Sequence, residues 1–214
     1  MTRSIQQLFD LKGKTALVTG GSRGLGLQMA HALGEAGARV MLSSRKAGEL
    51  EVAVADLQAA GIDARWIAAD CAKEAEIQRL ADETLQRMGD VDILVNNAGA
   101  AWGAPAEDHP IEAWDKVMNL NIRGYFILSQ VIGKKSMIPR KSGRIINVAS
   151  IAGLGGNPPQ MTTIAYNTSK GAVINFTRAL AAEWGKYSIN VNAICPGFFP
   201  SKMTAGTLAS WGVD

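Results

Sequence analysis

The sequence predicts one α/β domain, residues 1–214, built on a doubly wound parallel sheet. Three observations predict it: apolar runs alternate with helical patterns, a glycine cluster follows the first apolar run, and no linker divides the chain. Strands that alternate with helices form right-handed βαβ units, whose helices cover both faces of a parallel sheet. The length suits one sizeable core and is short for two.

Six apolar runs are predicted to form the strands, and five periodic stretches are predicted to form the helices. The predicted strands are Thr15–Thr19, Arg39–Ser43, Ala64–Ala69, Ile93–Val95, Arg144–Val148 and Asn190–Ile194. The predicted helices are Leu25–Glu35, Ala47–Ala60, Lys73–Met88, Glu112–Met137 and Ala165–Gly185.

Composition and charge disfavour several classes of protein. The net charge is +3 and the basic residues are dispersed, so we expect no nucleic-acid partner. No apolar run is long enough to span a bilayer and the first residues do not resemble a signal peptide, so we expect a cytoplasmic protein without membrane contact. His31 and His109 have no second ligand at metal spacing, and no metal site is predicted. Cys71 and Cys195 are interpreted as thiols at strand ends rather than as a redox pair.

A glycine-rich turn joins the first predicted strand to the first predicted helix. Its glycines, Gly20, Gly24 and Gly26, have the spacing GxxxGxG. Glycine allows a tight turn and the close approach of a pyrophosphate, whose charge meets the free N–H groups of the helix. The turn predicts a dinucleotide site with contacts at Gly20, Gly21, Ser22, Arg23, Gly24, Leu25 and Gly26.

The end of the second predicted strand indicates the form of the dinucleotide. Proteins that prefer NAD place an acidic residue there to bind the ribose 2′-hydroxyl. This chain has Ser44 and Arg45 instead, with Arg23 in the glycine-rich turn. Two guanidinium groups would bind a 2′-phosphate well, which predicts NADP(H) as the cofactor. The alternative is that both arginines are solvated surface charges.

Tyr166 and Lys170 open the last predicted helix, four residues apart and therefore on one face. A free tyrosine titrates near about 10, and a nearby lysine, together with the positive charge of an oxidised nicotinamide, is expected to lower that pKa. Ser150 ends the fifth predicted strand, where its hydroxyl could bind a substrate carbonyl. Asn121 lies on the long fourth helix. A tyrosine and a lysine at this spacing also occur by chance, so the pair alone decides nothing.

Together these motifs resemble the short-chain dehydrogenase/reductase family, and the resemblance extends from Lys12 to about Met203. It implies a Rossmann fold and an oxidoreductase in which hydride passes from NADPH to a carbonyl carbon. The implied catalytic roles are a proton donor at Tyr166, a substrate-orienting Ser150, a ribose-binding Lys170 and a water-anchoring Asn121. The further cofactor contacts that the resemblance implies are Asp70, Cys71, Asn97, Gly99, Pro196, Gly197, Phe199 and Ser201, besides Tyr166 and Lys170 themselves.

Two features depart from the family pattern. The segment from Ile151 to Ala165 is longer than usual and contains the turn-rich Asn157-Pro158-Pro159-Gln160, which either shapes the substrate mouth or reflects length drift. Residues 196–214 are interpreted as a partial substrate lid, and the seventh strand of the family is missing after it. We expect that the sequence is incomplete there; a shortened member is the alternative.

The substrate is the least specified part. Ala101, Trp102, Phe198, Phe199 and Met203 are predicted to line an apolar mouth, unless they are core or lid packing. The segments around Trp102 and Met203 resemble bacterial 3-oxoacyl reductases, which favours a 3-oxoacyl thioester of coenzyme A or an acyl carrier. Gluconate 5-dehydrogenase and general ketone or alcohol enzymes stay open, and so does a non-catalytic NADP-binding sensor. The two longest helices resemble the family's dimer-forming pair, so a homodimer or homotetramer is expected.

Overall fold

The computed structural model describes residues 4–199, which contain one sheet of six parallel strands. The strands are β1 (Thr15–Thr19), β2 (Arg39–Ser44), β3 (Ala64–Ala68), β4 (Ile93–Asn96), β5 (Gly143–Val148) and β6 (Ile189–Ile194). Their order in the sheet is β3-β2-β1-β4-β5-β6. The predicted doubly wound fold is therefore confirmed, and each strand lies within one residue of its predicted bounds.

Eight helices connect or flank the strands of residues 4–199. They are α1 (Ile5–Phe9), α2 (Gly24–Glu35), α3 (Ala47–Ala59), α4 (Glu74–Met88), α5 (Ile111–Met118), α6 (Gly124–Ile132), α7 (Ile138–Arg140) and α8 (Ile164–Trp184). The predicted fourth helix corresponds to α5 and α6 with the π-helical turns at Asn119–Arg123 and Gly133–Met137, and α7 continues it beyond the predicted end. Helix α1, which was not predicted, begins with a capping box between Ser4 and Gln7.

Apolar side chains form a core on each face of the sheet. Alternate residues of a strand point to opposite faces, so Leu17 of β1 packs in one core while Ala16 and Val18 pack in the other. The first core lies against α4, α6 and α8, and the second lies against α2 and α3. Burial on both faces explains why the strands are continuous apolar runs rather than alternating ones.

The strand order reverses between β1 and β4, and this reversal opens a crevice at the carboxyl ends of the strands. The Thr19 hydroxyl joins the two strands there. It donates to the Val95 carbonyl over 3.2 Å and accepts from the backbone N–H groups of Asn97 and Ala98 over 3.0 and 3.1 Å. The ends of β1 and β4 are thus held together where ligands bind in such sheets.

Several sequence predictions concern features beyond the strands. Of the predicted lid, residues 200–214 lie outside the described residues, together with Ser201 and Met203. Within residues 4–199, no seventh strand joins the sheet, and no helix has the length and apolar character needed to cross a membrane. The same residues hold no group of three potential metal ligands. Cys71 and Cys195 are free thiols, the first buried and the second half-buried.

Candidate active site

A cavity of about 780 Å³ lies at the carboxyl ends of the strands and brings most of the predicted site residues together. The predicted residues that line it are Gly20, Ser22, Arg23, Gly24, Leu25, Gly26, Ser44, Arg45, Asp70, Cys71, Asn97, Gly99, Ser150, Tyr166, Lys170, Pro196, Gly197 and Phe199. Gly21 and Asn121 are not part of the lining. Lys46 and Glu49 are, although the sequence analysis did not select them.

The glycine-rich turn forms one wall of the cavity. Gly20 and Gly24 have φ angles of 64° and 55°, in the left-handed region that favours glycine. A Cβ at Gly26 would lie 2.2 Å from the Gly20 carbonyl oxygen, so only glycine lets the helix start this close to the turn. Gly21 instead faces inward, where a Cβ would lie 2.7 Å from the Leu42 side chain. Gly21 packs against β2 in this way, and its contact with a cofactor stays a prediction.

Asn97 fixes the shape of this turn from the neighbouring strand. Its side-chain amide donates to the backbone carbonyls of Thr19 and Gly20 over 2.9 and 3.1 Å. The Asn97 side chain thus holds the wall of the cavity, while the residue itself lines it.

The end of β2 supplies an unused hydrogen-bonding group to the cavity. The Ser44 hydroxyl oxygen is buried and has no hydrogen-bond partner among residues 4–199. Beside it, Arg45 forms no ion pair within the described part of the chain. A buried polar atom without a partner is costly unless a ligand satisfies it, so this corner fits a polar or anionic group. The 2′-phosphate of NADP is such a group, and the glycine wall fits its pyrophosphate.

Arg23 lines the same cavity but, unlike Arg45, forms an ion pair. Its guanidinium contacts both carboxylate oxygens of Glu49 at 3.1 and 3.2 Å. The prediction paired Arg23 with Arg45 as two free cations, and the structure shows an ion pair instead. Glu49 lies in the first turn of α3, and no spacing in the sequence links it to Arg23.

The Asp70-Cys71 turn forms the floor of the cavity. The Asp70 carboxylate accepts from the Ala72 backbone N–H over 3.1 Å, and the Asp70 N–H donates to Glu76 over 2.8 Å. Burial, with a smaller effect from Asp70, raises the pKa of the Cys71 thiol to about 12. Cys71 is therefore a neutral thiol at physiological pH, not a nucleophile.

Ser150, Tyr166 and Lys170 converge at the other end of the cavity. Ser150 follows β5, and its oxygen accepts from the Ala152 backbone N–H over 3.1 Å. Tyr166 and Lys170 lie in the first two turns of α8. The turn after Ser150 packs closely on that helix, because a Cβ at Gly153 would lie 2.5 Å from the Lys170 carbonyl carbon.

Lys170 is buried with only 3% of its surface exposed. Its ammonium donates to the Val148 carbonyl over 2.6 Å and lies 5.5 and 5.7 Å from the ring centroids of Tyr125 and Tyr166. Burial lowers the pKa of Lys170 to about 8, against a smaller opposite effect of Cys195. Lys170 therefore gives up its proton more easily than a lysine in water does.

Burial has the largest effect on the titration of Tyr166. It raises the pKa of the phenol, and a hydrogen bond with Ser150 partly offsets this rise. The phenol therefore keeps its proton at neutral pH. The lowering expected from Lys170 together with an oxidised nicotinamide stays a prediction.

Asn121 acts behind the cavity rather than in its lining. It is fully buried in the first π-helical turn. Its side chain accepts from the Ala100 N–H over 2.8 Å and donates to the Ala100 carbonyl and the Ser169 hydroxyl, each over 2.9 Å. Ser169 in turn donates to the Tyr166 carbonyl over 2.7 Å. Asn121 thus ties the loop after β4 to the helix turn that carries Tyr166.

The turn-rich insert is fastened to the start of α8. The Asn157 amide donates to Thr163 and Asn167, each over 3.1 Å, and the Thr163 hydroxyl donates to Asn167 over 2.9 Å. Asn167 is the neighbour of Tyr166, so the insert lies beside the catalytic end of the cavity. This placement favours the interpretation that the insert borders the substrate mouth.

Only some residues of the predicted apolar mouth line the cavity. Ala101 and Phe199 line the cavity, whereas Trp102 and Phe198 do not. Trp102 is 44% exposed, with the Lys116 ammonium 5.9 Å from its ring centroid. Trp102, Phe198 and Phe199 are exposed rather than part of the core, whereas packing against the lid stays a prediction.

Comparison with known proteins agrees with this geometry. The family model of short chain dehydrogenases matches residues 14–210. The chain belongs to the short-chain dehydrogenase family. Its fold and family establish this short-chain dehydrogenase as an oxidoreductase of the NAD(P)-dependent dehydrogenase/reductase class.

Two curated relatives differ in substrate. The chain is 43% identical over 199 residues to the rhamnolipids biosynthesis 3-oxoacyl-[acyl-carrier-protein] reductase of Pseudomonas aeruginosa, covering 92% of this chain and 77% of the relative. It is 37% identical over 204 residues to the gluconate 5-dehydrogenase of Gluconobacter oxydans, covering 94% and 77%. Among solved structures, the NADP active-site complex of Pseudomonas aeruginosa RhlG superposes with a TM-score of 0.88 at 41% identity, covering 94% of this chain and 78% of that one.

Proposed function

We propose that this short-chain dehydrogenase reduces a substrate carbonyl with NADPH, with Tyr166 as the proton donor. One observation carries the proposal. A single cavity holds Ser150, Tyr166 and Lys170 at one end and the glycine wall with Ser44 and Arg45 at the other. A carbonyl reductase needs its proton donor and its phosphate-binding wall at opposite ends of one cavity, because a bound dinucleotide extends from one to the other.

The protein's own residues orient the carbonyl and move the proton. The Ser150 hydroxyl, whose oxygen is held by the Ala152 N–H, donates to the carbonyl oxygen and stabilises the charge that develops there. Tyr166 passes its phenolic proton to the same oxygen. Lys170 stabilises the phenolate left on Tyr166, since its ammonium lies 5.7 Å from the ring centroid. When bound, NADPH supplies the hydride.

The protonated phenol of Tyr166 suits the reductive direction at neutral pH. A phenol that keeps its proton is ready to donate it, whereas oxidation of an alcohol needs the phenolate as a base. We therefore propose that reduction is faster than oxidation at pH 7 and that raising the pH favours oxidation.

NADPH rather than NADH is proposed from the end of β2. Ser44 offers a buried hydroxyl without a partner, and Arg45 offers a guanidinium without an ion pair among the described residues. The RhlG structure, which holds NADP, is similar over nearly the whole chain.

The cofactor proposal is tested by the ratio of NADPH to NADH affinity in Arg45→Asp. The proposal predicts a ratio lowered by about tenfold or more, as for loss of a charge-assisted contact. Lys141→Asp makes the same change of charge beyond α7, away from the cavity, and should leave the ratio unchanged. An unchanged ratio in Arg45→Asp would contradict the assignment.

The proposed substrate is a 3-oxoacyl thioester, in line with the relative of highest sequence identity among those compared here. The test is NADPH oxidation with three carbonyl compounds, namely an acetoacetyl thioester, 5-ketogluconate and a simple aryl ketone. Preference for the thioester supports the proposal. Preference for 5-ketogluconate would contradict it and indicate a sugar-acid substrate. Binding of NADPH without oxidation by any of the three would indicate a sensor.

A further inference from the structure

We propose that Glu49 occupies part of the binding site for the cofactor's 2′-phosphate and so weakens the selection of NADPH over NADH. The inference rests on the proposed function, because it assigns the Arg23 side of the cavity to the adenosine end of NADP(H). It makes Glu49 a specificity-determining residue that binds no part of the substrate.

The contacts of Glu49 are those expected of a bound anion. Its carboxylate accepts from Arg23 at 3.1 and 3.2 Å, from the Lys46 ammonium at 3.0 Å and from the Ser22 hydroxyl at 3.4 Å. All four residues line the cavity. A phosphate uses the same donors, namely guanidinium, ammonium and hydroxyl groups. The carboxylate therefore holds the groups that a 2′-phosphate would recruit.

Glu49 is charged when it does so. The hydrogen bond from Lys46, with the nearby charge of Arg23, keeps the pKa of the Glu49 carboxyl below its usual value in spite of an opposing effect of burial. Like charges repel, so an incoming dianionic phosphate meets both an engaged Arg23 and a neighbouring negative charge. Either effect alone weakens the binding of a 2′-phosphate.

The other half of the site is not affected in this way. Ser44 has a buried oxygen without a partner among residues 4–199, and Arg45 has no ion pair there. At the end of β2, Ser44 and Arg45 are thus available to a 2′-phosphate, whereas on the other side of the site Glu49 already binds Arg23. Enzymes that prefer NAD place an acid at the end of that strand. Here the acid lies in the first turn of α3.

The exposure of the ion pairs sets the size of the effect. The side chains of Arg23, Lys46 and Glu49 are 54%, 66% and 33% exposed, so solvent and salt screen their charges. We expect removal of the Glu49 charge to tighten the binding of a 2′-phosphate by about threefold to fivefold at low salt.

The test is calorimetric binding of adenosine 2′,5′-bisphosphate and of ADP to the wild-type chain, Glu49→Gln and Glu51→Gln. The first nucleotide carries the 2′-phosphate and the second does not, and neither carries a nicotinamide. Glu51→Gln removes the same charge from the exposed side of α3, outside the cavity lining. The inference predicts tighter binding of the bisphosphate to Glu49→Gln, unchanged binding of ADP, and no change in Glu51→Gln beyond about twofold.

Different results overturn different claims. If the wild-type chain prefers the bisphosphate but Glu49→Gln binds it equally or more weakly, the inference is wrong and Glu49 instead orients Arg23. If Glu51→Gln gains as much as Glu49→Gln, general charge explains the effect and the inference also fails. If the wild-type chain shows no preference for the bisphosphate and Glu49→Gln creates none, the proposed NADPH preference fails together with the inference.

Discussion

At the scale of single residues, Lys170 carries its charge where little water reaches it. Its ammonium has one backbone acceptor, the Val148 carbonyl, and two aromatic rings around it. An amine in such surroundings loses its proton more easily than in water, which is why its pKa falls to about 8. The same burial acts in the opposite direction on Tyr166, whose neutral form it favours.

Lys170 should make the stability of the chain depend on pH. Between pH 8 and the unfolded value near 10.5, the unfolded chain holds a proton that the folded chain has lost, so stability rises with pH in that window. Relative to Lys170→Met, the wild-type chain should gain free energy of unfolding of the order of 3 kcal/mol as the pH rises from 7 to 10.5. Urea unfolding at the two pH values measures it.

Lys186 provides the control for this measurement. It also lies over a tyrosine ring, with its ammonium 5.1 Å from the Tyr187 centroid, but it is exposed. Lys186→Met should show no such pH dependence. A constant difference between the wild-type chain and Lys170→Met across the range would show that Lys170 is not desolvated.

The grouping of Ser150, Tyr166 and Lys170 in one cavity could be predicted from the sequence, but their electrostatics could not. Spacing placed Tyr166 and Lys170 on one helical face, and the strand end placed Ser150 opposite them. The sign of the Tyr166 pKa shift depends on how deeply α8 packs against β5, which is a property of the tertiary structure. The partner of Arg23 was missed for a similar reason, since Glu49 meets it across two elements.

At the scale of elements, the turn after β5 and the helix α8 meet without room for a side chain. A Cβ at Gly153 would lie 2.5 Å from the Lys170 carbonyl carbon and 2.7 Å from the Gly171 nitrogen, both backbone atoms. The Gly153 N–H donates to the Ser150 carbonyl over 3.0 Å, so the position of this glycine sets the position of Ser150.

Gly153→Ala should therefore impair catalysis, although Gly153 is not one of the reacting groups. The added methyl must push the turn away from α8, which moves Ser150 relative to Tyr166 and lowers kcat by about tenfold or more. Overpacking should also cost about 1–3 kcal/mol of unfolding free energy. Steady-state kinetics and urea unfolding measure the two effects.

Gly155→Ala is the matched control, because a Cβ there would meet nothing within 4 Å. It should leave kcat and stability close to the wild-type values. If Gly153→Ala retained full activity, the contact between the turn and α8 would not determine the position of Ser150.

Element bounds were largely predictable because periodicity is a local property of the chain. The two π-helical turns were not, since the pattern through Asn119–Arg123 and Gly133–Met137 is that of a continuous helix. The burial of the Asn121 side chain in the first of these turns likewise depends on the loop after β4 and on Ser169.

At the scale of the whole molecule, the order of the strands follows from right-handed crossovers and was predictable. The oligomeric state stays a prediction. Helices α6 and α8 present Phe126 and Phe176, whose rings meet edge to face with centroids 6.3 Å apart. Phe126 is 47% exposed on the helix pair expected to form the dimer.

Phe126→Glu should lower the mass of the expected homodimer or homotetramer, because it places a charge on the helix pair expected to form the contact. Light scattering after size-exclusion chromatography measures the mass. Val52→Glu changes another exposed apolar residue, 72% exposed on α3, and should leave the mass unchanged. A wild-type chain that is monomeric at high concentration would contradict the prediction.

The central claim is that Tyr166 donates the proton in an NADPH-dependent reduction. The most direct measurement compares NADPH oxidation and NADPH binding in the wild-type chain, Tyr166→Phe and the control Tyr187→Phe, with the best carbonyl substrate of the panel. We expect Tyr166→Phe to lose about 10²–10⁴-fold in kcat while its NADPH affinity stays within about twofold, and Tyr187→Phe to behave as wild type. Activity of Tyr166→Phe within about tenfold of the wild-type chain would contradict it.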